Sequence, residues 1–136
     1  MSEIQKLAAP LGRLLIAAIF VISGLHKITA YSGTQGYMQS AGVPGALLPL
    51  VILLEVCAGL AIIVGWQTRL AAFALAGFSI VAAVIFHAKL GNQIQFIMFM
   101  ADIAIAGGLL FLVAFGPGAF ALDNRASAKT DRGRAA

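Results

Sequence analysis

The residues best placed to do chemistry in this sequence are two acids embedded in long apolar runs, Glu55 in Leu54-Glu55-Val56-Cys57-Ala58-Gly59 and Asp102 in Ala101-Asp102-Ile103-Ala104-Ile105-Ala106. An acid at the centre of a membrane-spanning helix costs about 2.5 to 3.5 kcal/mol on insertion scales, so something must offset the two of them. Lys27, His26 and His87 stand at the ends of apolar runs, from which their side chains can reach inward. Gln95 precedes Asp102 by seven residues and so shares its helix face. At 1.5 Å per residue both acids fall roughly 10 to 13 Å below the nearer boundary of the apolar layer. These six residues could converge in one outer cavity.

Such a cavity would suit a small polar or quinoid molecule that exchanges protons with Glu55 or Asp102 while Lys27 or a histidine hydrogen-bonds its oxygen. Burial disfavours a charged carboxyl and a nearby ammonium favours it, so one protonated and one ionised acid is a natural arrangement that could relay protons. A bland reading stands beside this one. Lys27 and Glu55 could form an interhelical salt bridge, with Asp102 protonated, that serves only to fix helix register.

His26 and His87 are too few and too shallow for a metal or haem site, and no HxxxH or CxxCH accompanies them. No protein-bound metal or flavin is expected, and a quinone is possible. Arg13 and Arg69 read as interface anchors whose guanidinium groups snorkel to the lipid headgroups. Cys57, the only cysteine, lies about 200° around the helix from Glu55 and reads as an inert buried thiol. Ala61 and Gly65, Ala72 and Ala76, and Gly107-Gly108 read as close-packing positions.

The elements that must hold these residues follow from composition. The chain has 136 residues, 61% hydrophobic and 10% charged, far from the soluble average of roughly half apolar and a quarter charged. A water-soluble domain of this size could not bury so much apolar surface. Crossing a bilayer takes about 20 predominantly apolar residues, and four segments reach that length: Pro10 to Ile28, Ala46 to Gly65, Leu70 to Ala88 and Gln95 to Phe115. The fold class is therefore an all-α integral membrane four-helix bundle. Lys6 and Arg13 ahead of the first run resemble a signal peptide, but Ser23-Gly24-Leu25-His26-Lys27 offers no small-residue cleavage site, so the helix is expected to be retained.

The Gly- and Ser-containing stretch from Thr29 to Gly45 is compatible with a short interfacial helix that rests Tyr31, Tyr37 and Met38 at the headgroup level. The few residues around Gln67-Thr68 force the second and third helices to be antiparallel neighbours. Residues 1–122 are expected to form the domain, and 123–136 a disordered basic tail.

Four spans put both termini on one side, with Lys6, Arg13, Arg69, Arg125, Lys129, Arg132 and Arg134; the other side has Lys27 and Lys89. The positive-inside rule makes the terminal side cytoplasmic. The net charge of +4 then points to anionic lipid rather than nucleic acid as the electrostatic partner. The first and third helices each carry an arginine at one end and a His/Lys pair at the other, and the second and fourth each carry an acid, so the halves read as two parallel helical-hairpin repeats.

Taken as an ordered set, Gly12-Arg13-Leu14-Leu15, Ser23-Gly24-Leu25-His26-Lys27, Gly42-Val43-Pro44, Leu54-Glu55 with Gly59, Thr68-Arg69, Phe86-His87 and Gly107-Gly108 before Phe115-Gly116-Pro117-Gly118 resemble the DoxX family over roughly residues 10–123. That resemblance implies a four-helix bacterial inner-membrane protein. The family is named for a subunit associated with thiosulfate:quinone oxidoreductase, with relatives linked to quinone or oxidative stress and to membrane oxidoreductase assemblies. Relatives often have lysine then asparagine where this chain has Ala101-Asp102, so here an acid stands in place of a neutral hydrogen-bonding group. The leading expectation is a membrane subunit of a quinone-linked oxidoreductase or quinone-stress system, with a partner subunit supplying the redox cofactors. The alternatives are a non-catalytic scaffold that recruits soluble redox enzymes through the basic face, and a small transporter, for which one four-helix unit is small unless it forms a homo-oligomer.

Overall fold

In the computed structural model, which describes residues 2–87 and 91–124, four helices are long and apolar enough to cross a membrane. They are α1 (Glu3–Thr29), α3 (Gly45–Val64), α4 (Thr68–Phe86) and α5 (Gln93–Phe115), with the short α2 (Tyr31–Ser40) between the first two. α1 packs along α3, α3 on α4 and α4 on α5, while α1 and α5 touch only lightly. The expected tail lies outside the described residues from 125 onward, as does Lys89.

The helix starts are decided by caps. α1 begins seven residues before Pro10, because Ser2 accepts from the Gln5 N–H and the Gln5 side chain accepts from the Ser2 N–H. That reciprocal capping box satisfies two orphan donors, and it carries the helix through the proline. Asn92 caps α5 by accepting from the Ile94 and Gln95 N–H groups at 3.0 and 3.2 Å. α3 closes at Gly65 (φ +77°), where Gly65 and Trp66 donate back to the Ile62 and Ala61 carbonyls.

Packing differs from that of a soluble protein: Leu48, Ile62, Leu75 and Leu109 are buried, but many large apolar side chains face outward. Small residues such as Ala17, Ala72, Ala76, Ala83 and Ala106 are fully or almost fully enclosed, whereas Leu15, Phe73 and Phe111 face outward. Lipid chains are as apolar as leucine, so burying large side chains gains little, and small ones let backbones approach. Cys57 follows the same logic and differs from expectation: it lies exposed on the outer surface of α3. Of the glycines read as packing positions, Gly65 is a helix terminator and Gly107 has open space where a Cβ would sit.

The end of the bundle holding the start of α1 and residue 124 is tied by Arg13. Its side chain was expected to snorkel to lipid, but the residue is only 1% exposed. Nη1 donates to the Ile62 and Ile63 carbonyls, both at 3.4 Å, and Nη2 to those of Ala119 and Phe120 at 2.8 and 2.9 Å. The guanidinium thus serves the last-turn carbonyls of α3, where helix carbonyls lack partners and the dipole is negative, and holds the segment after α5 beneath the bundle.

Asp123, expected in the free tail, is part of that segment. Its carboxylate accepts from the Gln67 and Thr68 N–H groups at 2.8 and 3.0 Å, capping α4 from across the chain and starting it at Thr68 rather than Leu70.

Burial opposes ionisation of Asp123, but the N–H groups and side chain at Thr68, the Gln67 N–H and the Arg13 charge outweigh it and hold the carboxyl below the usual aspartate value. A carboxyl depressed on folding contributes stability above the unfolded aspartate pKa of about 3.9, and that contribution is lost as pH falls through the lower folded value. Thermal unfolding in micelles should therefore show a loss of stability below about pH 4, and that component should vanish in Asp123→Asn. A Cβ at Gly65 would overlap Ala121 and Arg13 on a left-handed backbone, so Gly65→Ala should cost about 2 to 4 kcal/mol in the same assay. Gly77→Ala, with open space around its Cβ, should be neutral or stabilising by up to about 1 kcal/mol.

Candidate functional site

At the opposite end of the bundle each of the four spanning helices contributes one titratable side chain: Lys27 from α1, Glu55 from α3, His87 at the end of α4 and Asp102 from α5. The close approach of α1 and α3 that makes this cluster rests on two glycines. A Cβ at Gly24 would stand 2.6 Å from Val56 Cγ2 and 3.3 Å from Glu55 Cβ, and one at Gly59 would stand 2.7 Å from Val21 Cγ2. With hydrogen in both places the helices close, and Lys27 comes down on Glu55. Both glycines were legible as motif residues, but their contact across two helices was not.

Lys27 Nζ pairs with Glu55 Oε1 and also donates to Ser23 Oγ at 2.9 Å, one helical turn earlier on the same face. The Glu55 side chain is 3% exposed and that of Lys27 is 22%. Removing both charges from lipid into one hydrogen-bonded pair offsets the insertion cost that either would carry alone. Glu55 lies within a π-helical turn, Leu54–Ala58, which inserts an extra residue and re-aims the side chains around it. Ser23 was legible as a motif residue but not as a partner of Lys27; its four-residue offset is the signal that could have found it.

The second half of the cluster is built from α4 and α5. His87 Nδ1 lies 3.0 Å from Gln95 Oε1, and His87 Nε2 lies 3.7 Å from Asp102 Oδ2. The seven-residue offset of Gln95 and Asp102 does put both on the face that meets His87. The Asp102 side chain is 27% exposed, the most open member of the cluster, and it lies within Coulombic range of both His87 and Lys27. Helix α2 crosses near this end, where Tyr37 stacks on Phe86 with ring centroids 5.2 Å apart.

His26 does not join the cluster. Its side chain is exposed, and only its carbonyl is engaged, by Thr29 and Ala30. Arg13 and Arg69 belong to the other end. Among the described residues no three of His, Cys, Asp and Glu come together in a way that could hold a metal ion. What the arrangement offers instead is two acid–base couples side by side, Lys27–Glu55 and His87–Asp102, each formed within one half of the chain. Glu55 is the enclosed acid of the two, and Asp102 is the more open.

The sequence model of the DoxX family matches residues 8–88. Inner membrane protein YqjF of Escherichia coli is 43% identical over 123 residues, covering 90% of this chain and 95% of that protein. Inner membrane protein YphA of the same organism is 34% identical over 122 residues, covering 85% of this chain and 87% of its own length. No solved structure matches the chain. A four-span bundle with this match and these relatives is a membrane protein that belongs to the DoxX family.

Proposed function

We propose that this chain is an inner-membrane subunit of a quinone-linked oxidoreductase or quinone-stress system, in which the Lys27, Glu55, His87 and Asp102 cluster receives a small quinoid molecule. The observation that supports it is the meeting of four titratable side chains, one from each spanning helix, with Asp102 accessible and Glu55 locked. Polar side chains inside a membrane protein are expensive, and a site that uses them repays the cost in function. Reduction of a quinone to a quinol takes up two electrons and two protons. Electrons would come from a cofactor of a partner subunit, and Asp102 and His87 would deliver the protons to the two oxygens. Lys27 would hydrogen-bond one oxygen while its charge stays neutralised by Glu55.

The test is binding of a short-chain quinone to the protein in lipid nanodiscs. Asp102→Asn should weaken binding about tenfold with the unfolding midpoint unchanged, since it removes one hydrogen-bond and proton partner of the ligand. Glu55→Gln leaves the Lys27 ammonium unpaired and should cost about 3 kcal/mol of stability. Lys27→Met combined with Glu55→Gln should recover that stability but not the binding. Wild-type affinity in the double variant would reduce the pair to a structural tie.

The basic residues at the terminal end put that end in the cytoplasm under the positive-inside rule, and the cluster then lies toward the periplasmic side. In a Cys57→Ala background, a cysteine at Gly91 should react in intact cells with a membrane-impermeant maleimide, and one at Ser2 should react only after lysis. The reverse pattern would invert the bundle.

A further inference from the structure

At the Arg13 end of the bundle two clefts flank the turn Phe115–Gly118. One, of about 380 Å³, lies between the lightly touching helices α1 and α5 and is walled by Gly12, Ile16, Gly108, Phe111 and Leu112. The other, of about 560 Å³, is bounded by Gln67, Thr68, Arg69, Asp123 and Asn124. Phe115, Gly116, Pro117 and Gly118 line both, so the two clefts share one wall.

Their chemistries differ. The α1/α5 cleft is lined mainly by apolar side chains and glycines, and a Cβ at Gly12 would meet nothing within 4 Å. The protein therefore leaves this part of the space unfilled. In the second cleft the Arg69 guanidinium lies over Gly116, where a Cβ would stand 3.3 Å from Nη2 and 3.4 Å from Nε. Among the described residues no carboxylate lies within 4 Å of it. Thr68 is 0% exposed, and its hydroxyl lies beside the Asp123 carboxylate, whose ionised form it favours. Asp123 lines the same cleft, but it forms no ion pair with Arg69: its oxygens accept from the Gln67 and Thr68 N–H groups, and the cation that acts on it is Arg13. Among the described residues, a cation with no ion-pair partner thus stands beside an open apolar slot.

We propose that the two clefts together bind one anionic phospholipid. Its phosphate lies against Arg69, and one acyl chain occupies the slot between α1 and α5. A phosphodiester supplies the negative charge and acceptor oxygens that a guanidinium matches. A hydrocarbon chain fills a slot that water would solvate poorly. The site is at the other end of the bundle from the quinone cluster, so its failure would leave that reading untouched.

The experiment uses the full chain in neutral detergent, titrated with dioleoylphosphatidylglycerol, dioleoylphosphatidylcholine or inorganic phosphate, and reads bound lipid by native mass spectrometry and stability by thermal unfolding. One phosphatidylglycerol per chain should be retained at least tenfold more tightly than phosphatidylcholine. Arg69→Gln should weaken it about tenfold, and Arg69→Lys less, since a point charge survives there. Gly12→Leu, whose side chain enters open space, should remove binding without lowering the lipid-free unfolding midpoint. Equal retention of the two lipids would overturn the proposal, as would undiminished binding in both Arg69→Gln and Gly12→Leu. Displacement of the lipid by equimolar inorganic phosphate would overturn the lipid assignment in favour of a soluble phosphate. If Arg69→Gln fails to fold, Arg69→Lys and Gly12→Leu still decide the matter.

Discussion

A buried guanidinium without a carboxylate partner within 4 Å among the described residues ties together the parts of this protein that the chain itself leaves apart. Arg13 reaches from α1 to the last carbonyls of α3 and to the carbonyls of Ala119 and Phe120 beyond α5. Hydrogen bonds to a charged donor are worth about 1.5 to 3 kcal/mol each in soluble proteins. With water excluded, the alternative is an unsolvated charge, which is costlier still. The clamp also sets the position of Asp123, whose carboxylate decides where α4 begins.

The remaining architecture answers a single constraint, that lipid supplies no hydrophobic force between helices. Cohesion then comes from close packing and polar ties. Gly24 and Gly59 supply the first along α1 and α3, and the Lys27–Glu55 pair supplies the second at the end of the same interface. The seam between α1 and α5 has a single such glycine, Gly108 against Ile16, and the two helices touch only lightly; it is there that the slot opens. One side of α1 is thus committed to holding the bundle together. The other is left to whatever the membrane provides.

The two ends of the bundle consequently divide the work. The Arg13 end is built from backbone carbonyls and caps, groups that do not titrate near neutrality. The Lys27 end gathers four titratable side chains, and the π turn at Glu55 and the helix α2 lying nearby are the irregular features around it. π turns are uncommon within helices and occur often at functional sites, because the extra residue re-aims side chains at the cost of regular hydrogen bonding.

Composition and period alone determined that this is a membrane bundle of four helices, because about 20 apolar residues in a row admit few other folds. They also singled out Glu55, Asp102, Lys27, His87 and Gln95, since polar residues in apolar runs stand out on cost. The offset of Gln95 from Asp102 was readable because helical periodicity is local. What lay beyond reach was every contact between elements distant in sequence: Asp123 as the cap of α4, Arg13 turned inward, Gly24 against Val56, and His26 left outside the cluster. A sequence shows how much a charged side chain must cost in lipid, but the partner that offsets the cost is found by the packing of helices. That is why an arginine expected at the lipid headgroups proved to be the tie at one end of the bundle, and an aspartate expected in a free tail proved to be a helix cap.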